Sequence, residues 1–91
     1  MKENQEIIIS GRVQGVGYRY FVQLKAAEHQ ISGYVRNLPT GDVMVVAEGE
    51  QIDLETFVDH LKAGPTRAVV RKVTLSRSPY TGSYDGFIVK Y

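Results

Sequence analysis

Two helices on one face of a mostly antiparallel sheet, ordered β-α-β-β-α-β with a short extra C-terminal strand, is the fold this sequence predicts. Three observations point to it. Short apolar runs bounded by turn residues flank two stretches whose apolar residues recur at helical spacing. Between those two stretches lie two strand-like runs joined by the tight turn Pro39-Thr40-Gly41-Asp42. The 91 residues, 43% apolar and 23% charged, suffice for one modest core, so a single domain over 1–91 is expected.

Each element has its own signal. Glu6 to Val13 carries the run Ile7-Ile8-Ile9 and reads as the first strand, bounded by Gly11 and a glycine-rich loop. From Arg19 to Ile31, Tyr20, Leu24, Ala27 and Ile31 fall at i, i+4, i+7 and i+11. That spacing lines one face of a helix and predicts that this face meets the core. Ser32-Gly33 ends the helix, and Tyr34 to Leu38 forms a short second strand. Val43 to Ala47 is almost continuously apolar and suits a central strand.

Leu54, Phe57, Val58 and Leu61 then mark a second helix, and Gly64-Pro65 stops it. Asp53, Glu55 and Asp59 fall on its wet side. Ala68 to Ser76 supplies a further strand, with Val69, Val73 and Leu75 available to the core. A loop over Pro79 to Gly82 leads to the terminal strand, where Phe87, Val89 and Tyr91 alternate with Ile88 and Lys90. The order is the ferredoxin-like, split βαβ arrangement, which carries many unrelated functions.

Charge and composition narrow those functions. Eleven basic residues against ten acidic ones leave +1, too little for a bulk electrostatic grip on nucleic acid. Any bound anion must therefore be caught locally. Zero cysteines exclude a disulfide, a thiolate nucleophile and a cysteine-based metal centre. No run approaches the roughly 20 apolar residues of a membrane span, and Met1 to Ser10 lacks a signal-peptide core. A cytoplasmic monomer without membrane contact is expected.

Residues 11 to 19 read GRVQGVGYR. A Walker loop needs Lys and Ser or Thr after its last glycine, whereas Gly17 is followed by Tyr18-Arg19. A dinucleotide fingerprint needs a third glycine at position 20, which is Tyr20. What remains is a strand-to-helix loop in which Gly15 and Gly17 are free to take positive φ. Such a loop either directs its N–H groups into an anion-binding hollow or is simply a tight turn. Arg19 favours the hollow, because a cation in a helix's first turn opposes the macrodipole and a bound anion relieves the conflict.

Asn37 ends the second strand, which runs parallel to the first, so it falls at the same sheet edge as the glycine-rich loop. Its amide can hold a water beside a bound anion, or it can merely start the turn before Pro39. Other candidates are weaker. His29 and His60 sit near the ends of separate helices and lack a third ligand, which suits surface or capping roles. No Gly-x-Ser-x-Gly elbow occurs. Arg12, Arg36, Arg67, Arg71, Lys72 and Arg77 are spread out on what read as solvated faces.

GRVQGVGYR followed by Gly33-Tyr34-Val35-Arg36-Asn37 resembles the two sequence signatures of acylphosphatases. The resemblance extends over essentially the whole chain, including the Pro-Thr-Gly-Asp turn, the Ala63-Gly64-Pro65 helix end and the Phe87-to-Tyr91 terminus. It implies hydrolysis of acyl phosphates without metal or cofactor. It also implies that Arg19 and the backbone of Gln14, Gly15, Val16, Gly17, Tyr18 and Arg19 hold the phosphoryl group, with Asn37 positioning the attacking water. A small acyl phosphate, or inorganic phosphate or sulfate, is the implied ligand; nucleic acid is not. Thr40 stands where an acidic residue often opens the hairpin turn. Tyr18 replaces a frequent phenylalanine, and its hydroxyl is expected to reach solvent.

The residue inventory suits that substrate independently. The candidate site offers an arginine, an amide and backbone donors, but no evident general acid or nucleophile. An alkyl phosphate expels a basic alkoxide and needs an acid or a metal. An acyl phosphate expels a carboxylate of conjugate-acid pKa about 4, which leaves unprotonated. The rival classes are an RNA-recognition module and an anion-binding module without chemistry. RNA modules stack bases on aromatics of their central strands, yet Val43 to Ala47 contains none.

Overall fold

In the computed structural model, which describes residues 1–91, the chain folds as β1 (Lys2–Arg12), α1 (Tyr18–Glu28), β2 (Ser32–Asn37), β3 (Val43–Glu50), α2 (Gln51–Ala63), β4 (Val69–Pro79) and β5 (Phe87–Lys90). The strands form one five-stranded sheet in the order β4-β1-β3-β2-β5. All neighbours are antiparallel except β2 and β5, which run parallel. Because β3 lies between β1 and β2 and opposes both, β1 and β2 end at one sheet edge. β5 ends there too, with Lys90 paired to Arg36. No helix is long and apolar enough to cross a membrane.

The expected element order is present, with β1, β3 and β4 longer than their apolar centres suggested. Ile7 and Ile9 of β1, Val35 of β2 and Val43, Val45 and Ala47 of β3 form the sheet side of the core. Leu54, Phe57, Val58 and Leu61 of α2 cover them, as their spacing predicts. Burying each such side chain is worth roughly 1.5–3 kcal/mol. Gly64 (φ 69) closes α2, its N–H donating to the His60 carbonyl at 2.9 Å.

The phase of α1 differs from the expectation. Tyr18, Val22 and Ala26 are buried, whereas Tyr20 is 69% and Leu24 46% exposed and Ala27 also lies outside the core. Of the four residues expected on the inner face, only Ile31, beyond the helix, is buried. The sequence holds two apolar rows on α1, and periodicity alone does not choose between them. Gly17, in left-handed conformation at the N-cap, turns the chain so that Tyr18 enters the core and sets the phase.

β4 departs similarly. The pairing of β1 with β4 shifts register between Ser10 and Gly11, so that Ser10 opposes Lys72 and Gly11 opposes Val70. The extra residue on β4 reverses the alternation beyond it. Val70, Val73 and Leu75 pack against the core while Val69 is exposed.

On the face opposite the helices, the connection from β4 to β5 is pinned by Glu48 of β3. Its carboxylate is 1% exposed and accepts from Asn4 Nδ2 (2.8 Å), Thr81 N (2.9 Å), Thr81 Oγ1 (2.7 Å) and Gly82 N (3.1 Å). Burial pushes its pKa up, but these donors outweigh it and hold the carboxyl below the usual range. Glu48 thereby anchors the segment that delivers β5 to the sheet edge.

Candidate active site

The loop after β1 turns through Gly15 (φ 72) and Gly17 (φ 77) before α1 begins. A Cβ at either position would meet no atom within 4 Å, so glycine is required there by conformation and not by space. None of the main-chain N–H groups from Gly15 to Tyr20 donates to another group of the chain, and α1 has no side-chain cap. Two buried residues hold this loop from beneath. Val16 is 8% exposed within the core. Tyr18 is buried, and its hydroxyl donates to the Leu61 carbonyl at 2.7 Å.

The expectation that the Tyr18 hydroxyl reaches solvent is therefore wrong. Phenylalanine and tyrosine differ here by a hydrogen bond into the last turn of α2. Burial pushes the phenol well above its ordinary pKa, keeping it a neutral donor.

A pocket of about 520 Å³ opens at this edge, lined by Gly15, Gly17, Tyr18, Arg19 and Asn37 together with residues of β5 and the C-terminus. Asn37 and Arg19, separated by a whole strand and helix in sequence, thus share one cavity. Asn37 Oδ1 is shielded from solvent yet receives no hydrogen bond, and its Nδ2 donates to no group of the chain. A buried amide oxygen without a donor costs stability, so Oδ1 is suited to accept from a ligand or water.

Arg19 pairs with no carboxylate. Its Nη1 donates to the Lys90 carbonyl at 3.1 Å, and its guanidinium lies 4.6 Å from the ring centroid of Tyr91. Both contacts fix the side chain while leaving its charge uncompensated. No acidic residue occupies the first turn of α1, so nothing on the helix offsets the positive end of its dipole. The pocket thus gathers one guanidinium, a row of free N–H donors and an amide, an arrangement suited to a compact anion.

Two of the loop residues turn their side chains away from the pocket. Val16 points into the core, and Gln14 turns the other way. Gln14 Nε2 donates to the carbonyls of Leu38 (2.9 Å) and Asp42 (2.8 Å), bracing the glycine-rich loop against the β2–β3 turn that follows Asn37. That turn closes with Leu38 N donating to the Asp42 carbonyl at 2.8 Å. Gln14 thereby ties the two signature segments to each other. His29 and His60 meet at 5.2 Å between ring centroids, but neither lines the pocket.

Sequence reasoning missed Lys90 and Tyr91 as the groups that steady Arg19. Only the placement of β5 beside β2 brings the last two residues to the loop. The aromatic C-terminus was the sole available signal.

Comparison with known proteins finds relatives along nearly the whole chain. The family model described as Acylphosphatase matches residues 5–89. An acylphosphatase of Archaeoglobus fulgidus is 45% identical over 86 residues, which cover 94% of this chain and 96% of that protein. An acylphosphatase of Thermus thermophilus is 58% identical over 66 residues, 72% of this chain and 75% of that one. The crystal structure of acylphosphatase from Bacillus subtilis superposes with a TM-score of 0.95 at 36% identity, over 100% of both chains. The chain belongs to the acylphosphatase family.

Proposed function

We propose that the chain hydrolyses the carboxyl–phosphate bond of small acyl phosphates by in-line attack of a water oriented by Asn37. The phosphoryl group sits against Arg19 and the main-chain N–H groups of the loop over residues 14–19. The observation that carries this reading is the gathering of Arg19, the uncommitted loop donors and the unpartnered Asn37 amide in one pocket.

The chemistry asks little beyond placement. The water oxygen bonds to phosphorus as the bond to the carboxyl oxygen breaks, and that oxygen keeps the electron pair as carboxylate. Both water protons end on the phosphate. A carboxylate leaving group needs no protonation, so the work falls to orientation and neutralisation of the equatorial oxygens. The Arg19 fork and the fixed N–H dipoles provide that neutralisation without reorganising. Asn37 Oδ1 accepts from the water and aims its lone pair at phosphorus.

Hydrolysis of acetyl phosphate in heavy-oxygen water, with a chelator present, tests the reading. Label found in the phosphate, at a rate the chelator does not change, is expected. Label in the acetate would mean attack at carbon and overturn the proposal. Phosphate binding without turnover would instead make the site an anion-binding module.

A further inference from the structure

The apolar row on α1 that stays out of the core forms a second feature of the molecule. Tyr20, Leu24 and Ala27, with Ile31 beyond the helix and Phe87 of β5, line an apolar groove of about 460 Å³ along the seam between α1 and β5. Tyr20 is 69% and Leu24 46% exposed, which leaves the groove accessible to a ligand.

The groove does not stand alone. Tyr20 and Gln23 line both it and the pocket that holds Arg19 and Asn37. From Tyr20 to Ala27 it follows α1 for roughly 10 Å. It contains no charged side chain, whereas the pocket it leaves is built for an anion. An acyl phosphate has the same division, a phosphoryl dianion at one end and a carbon chain at the other.

Resting on the function proposed above, we infer that this groove is the acyl subsite and that it selects acyl phosphates with a medium-length aliphatic chain. In-line attack requires the leaving group to depart opposite the water. Asn37 belongs to β2, while Tyr20, Gln23 and the β5 residues flank the pocket on the side of the sheet edge. A phosphoryl group between them, with its water toward Asn37, sends the acyl chain toward α1 and β5. Binding energy gathered there is realised equally in ground and transition states. It lowers KM and leaves kcat unchanged.

The test compares acetyl, butanoyl and octanoyl phosphate. With the chain seated in a half-open groove, kcat/KM rises about twofold per methylene, about half the free energy of full burial. Leu24→Gln lowers the octanoyl-to-acetyl ratio of kcat/KM about tenfold, through KM. Ile52→Gln, at a more exposed apolar position on α2 (70% against 46% for Leu24) away from the groove, leaves that ratio as it was. A ratio near one in the unmodified protein, or one that Leu24→Gln does not move, overturns the acyl subsite and leaves acetyl phosphate hydrolysis standing. Failure to hydrolyse any of the three overturns the underlying function instead.

Discussion

The guanidinium of Arg19 lies over the ring of Tyr91, with Cζ 4.6 Å from the ring centroid. The last residue of the chain thus helps hold a first-turn side chain of α1. Cation–π contacts at exposed sites are worth about 0.5–1 kcal/mol. Tyr91→Ala is expected to lower kcat/KM for acetyl phosphate about two- to fivefold, with little change in the urea midpoint. Tyr91→Phe, which keeps the ring face, restores activity. A variant Tyr91→Ala with full activity means that the Lys90 carbonyl alone suffices.

Arg19 is the only side-chain cation lining the pocket. Arg19→Ala removes the fork proposed to meet the phosphoryl oxygens and is expected to lower kcat/KM at least a hundredfold while weakening inorganic phosphate binding. Arg19→Lys recovers little, because a point charge cannot reproduce two parallel hydrogen bonds. Phosphate titration by calorimetry alongside steady-state kinetics checks both statements.

Tyr18→Phe leaves the Leu61 carbonyl without its donor and is expected to cost about 1 kcal/mol in urea unfolding. Activity should persist, since the ring still anchors the loop. Loss of activity without loss of stability would place the hydroxyl in the chemistry.

Acid stability follows from three carboxylates held below their ordinary range. Hydrogen bonds from Gln5, Gln51 and Arg77 lower Glu3, and the Met1 ammonium lowers Glu50. Glu48 is lowered by its four donors against the opposing effect of burial. A depressed folded-state pKa contributes stability that is complete above the unfolded value of about 4.3 and disappears as pH falls through the folded one. Glu48→Gln is expected to reduce stability at pH 7 by about 2 kcal/mol and to flatten the loss below pH 4. Urea midpoints measured from pH 7 to pH 2 report both effects.

How much of this was readable in the sequence depends on what sets each feature. The α2 face was legible because Leu54, Phe57, Val58 and Leu61 form the single apolar row of that helix. The meeting of Arg19 and Asn37 followed from topology, since parallel strands end at one edge. The phase of α1 was not legible. Two apolar rows compete there, and the backbone conformation at Gly17 decides between them. The exposure of Val69 hinges on a register shift at Ser10 and Gly11, which leaves no periodic trace. Glu48, Gln14 and Tyr91 act through partners 24 to 72 positions distant in the chain, so local patterns do not reveal them.

In the proposed mechanism a guanidinium and backbone donors seize the phosphoryl group while a separate amide places the nucleophile. Asn37→Ala separates the two duties most directly. Inorganic phosphate should bind this variant within about twofold of the unmodified protein, while kcat for acetyl phosphate falls about a hundredfold or more. Unchanged kcat, or phosphate affinity reduced in step with turnover, would contradict the division of labour on which the mechanism rests.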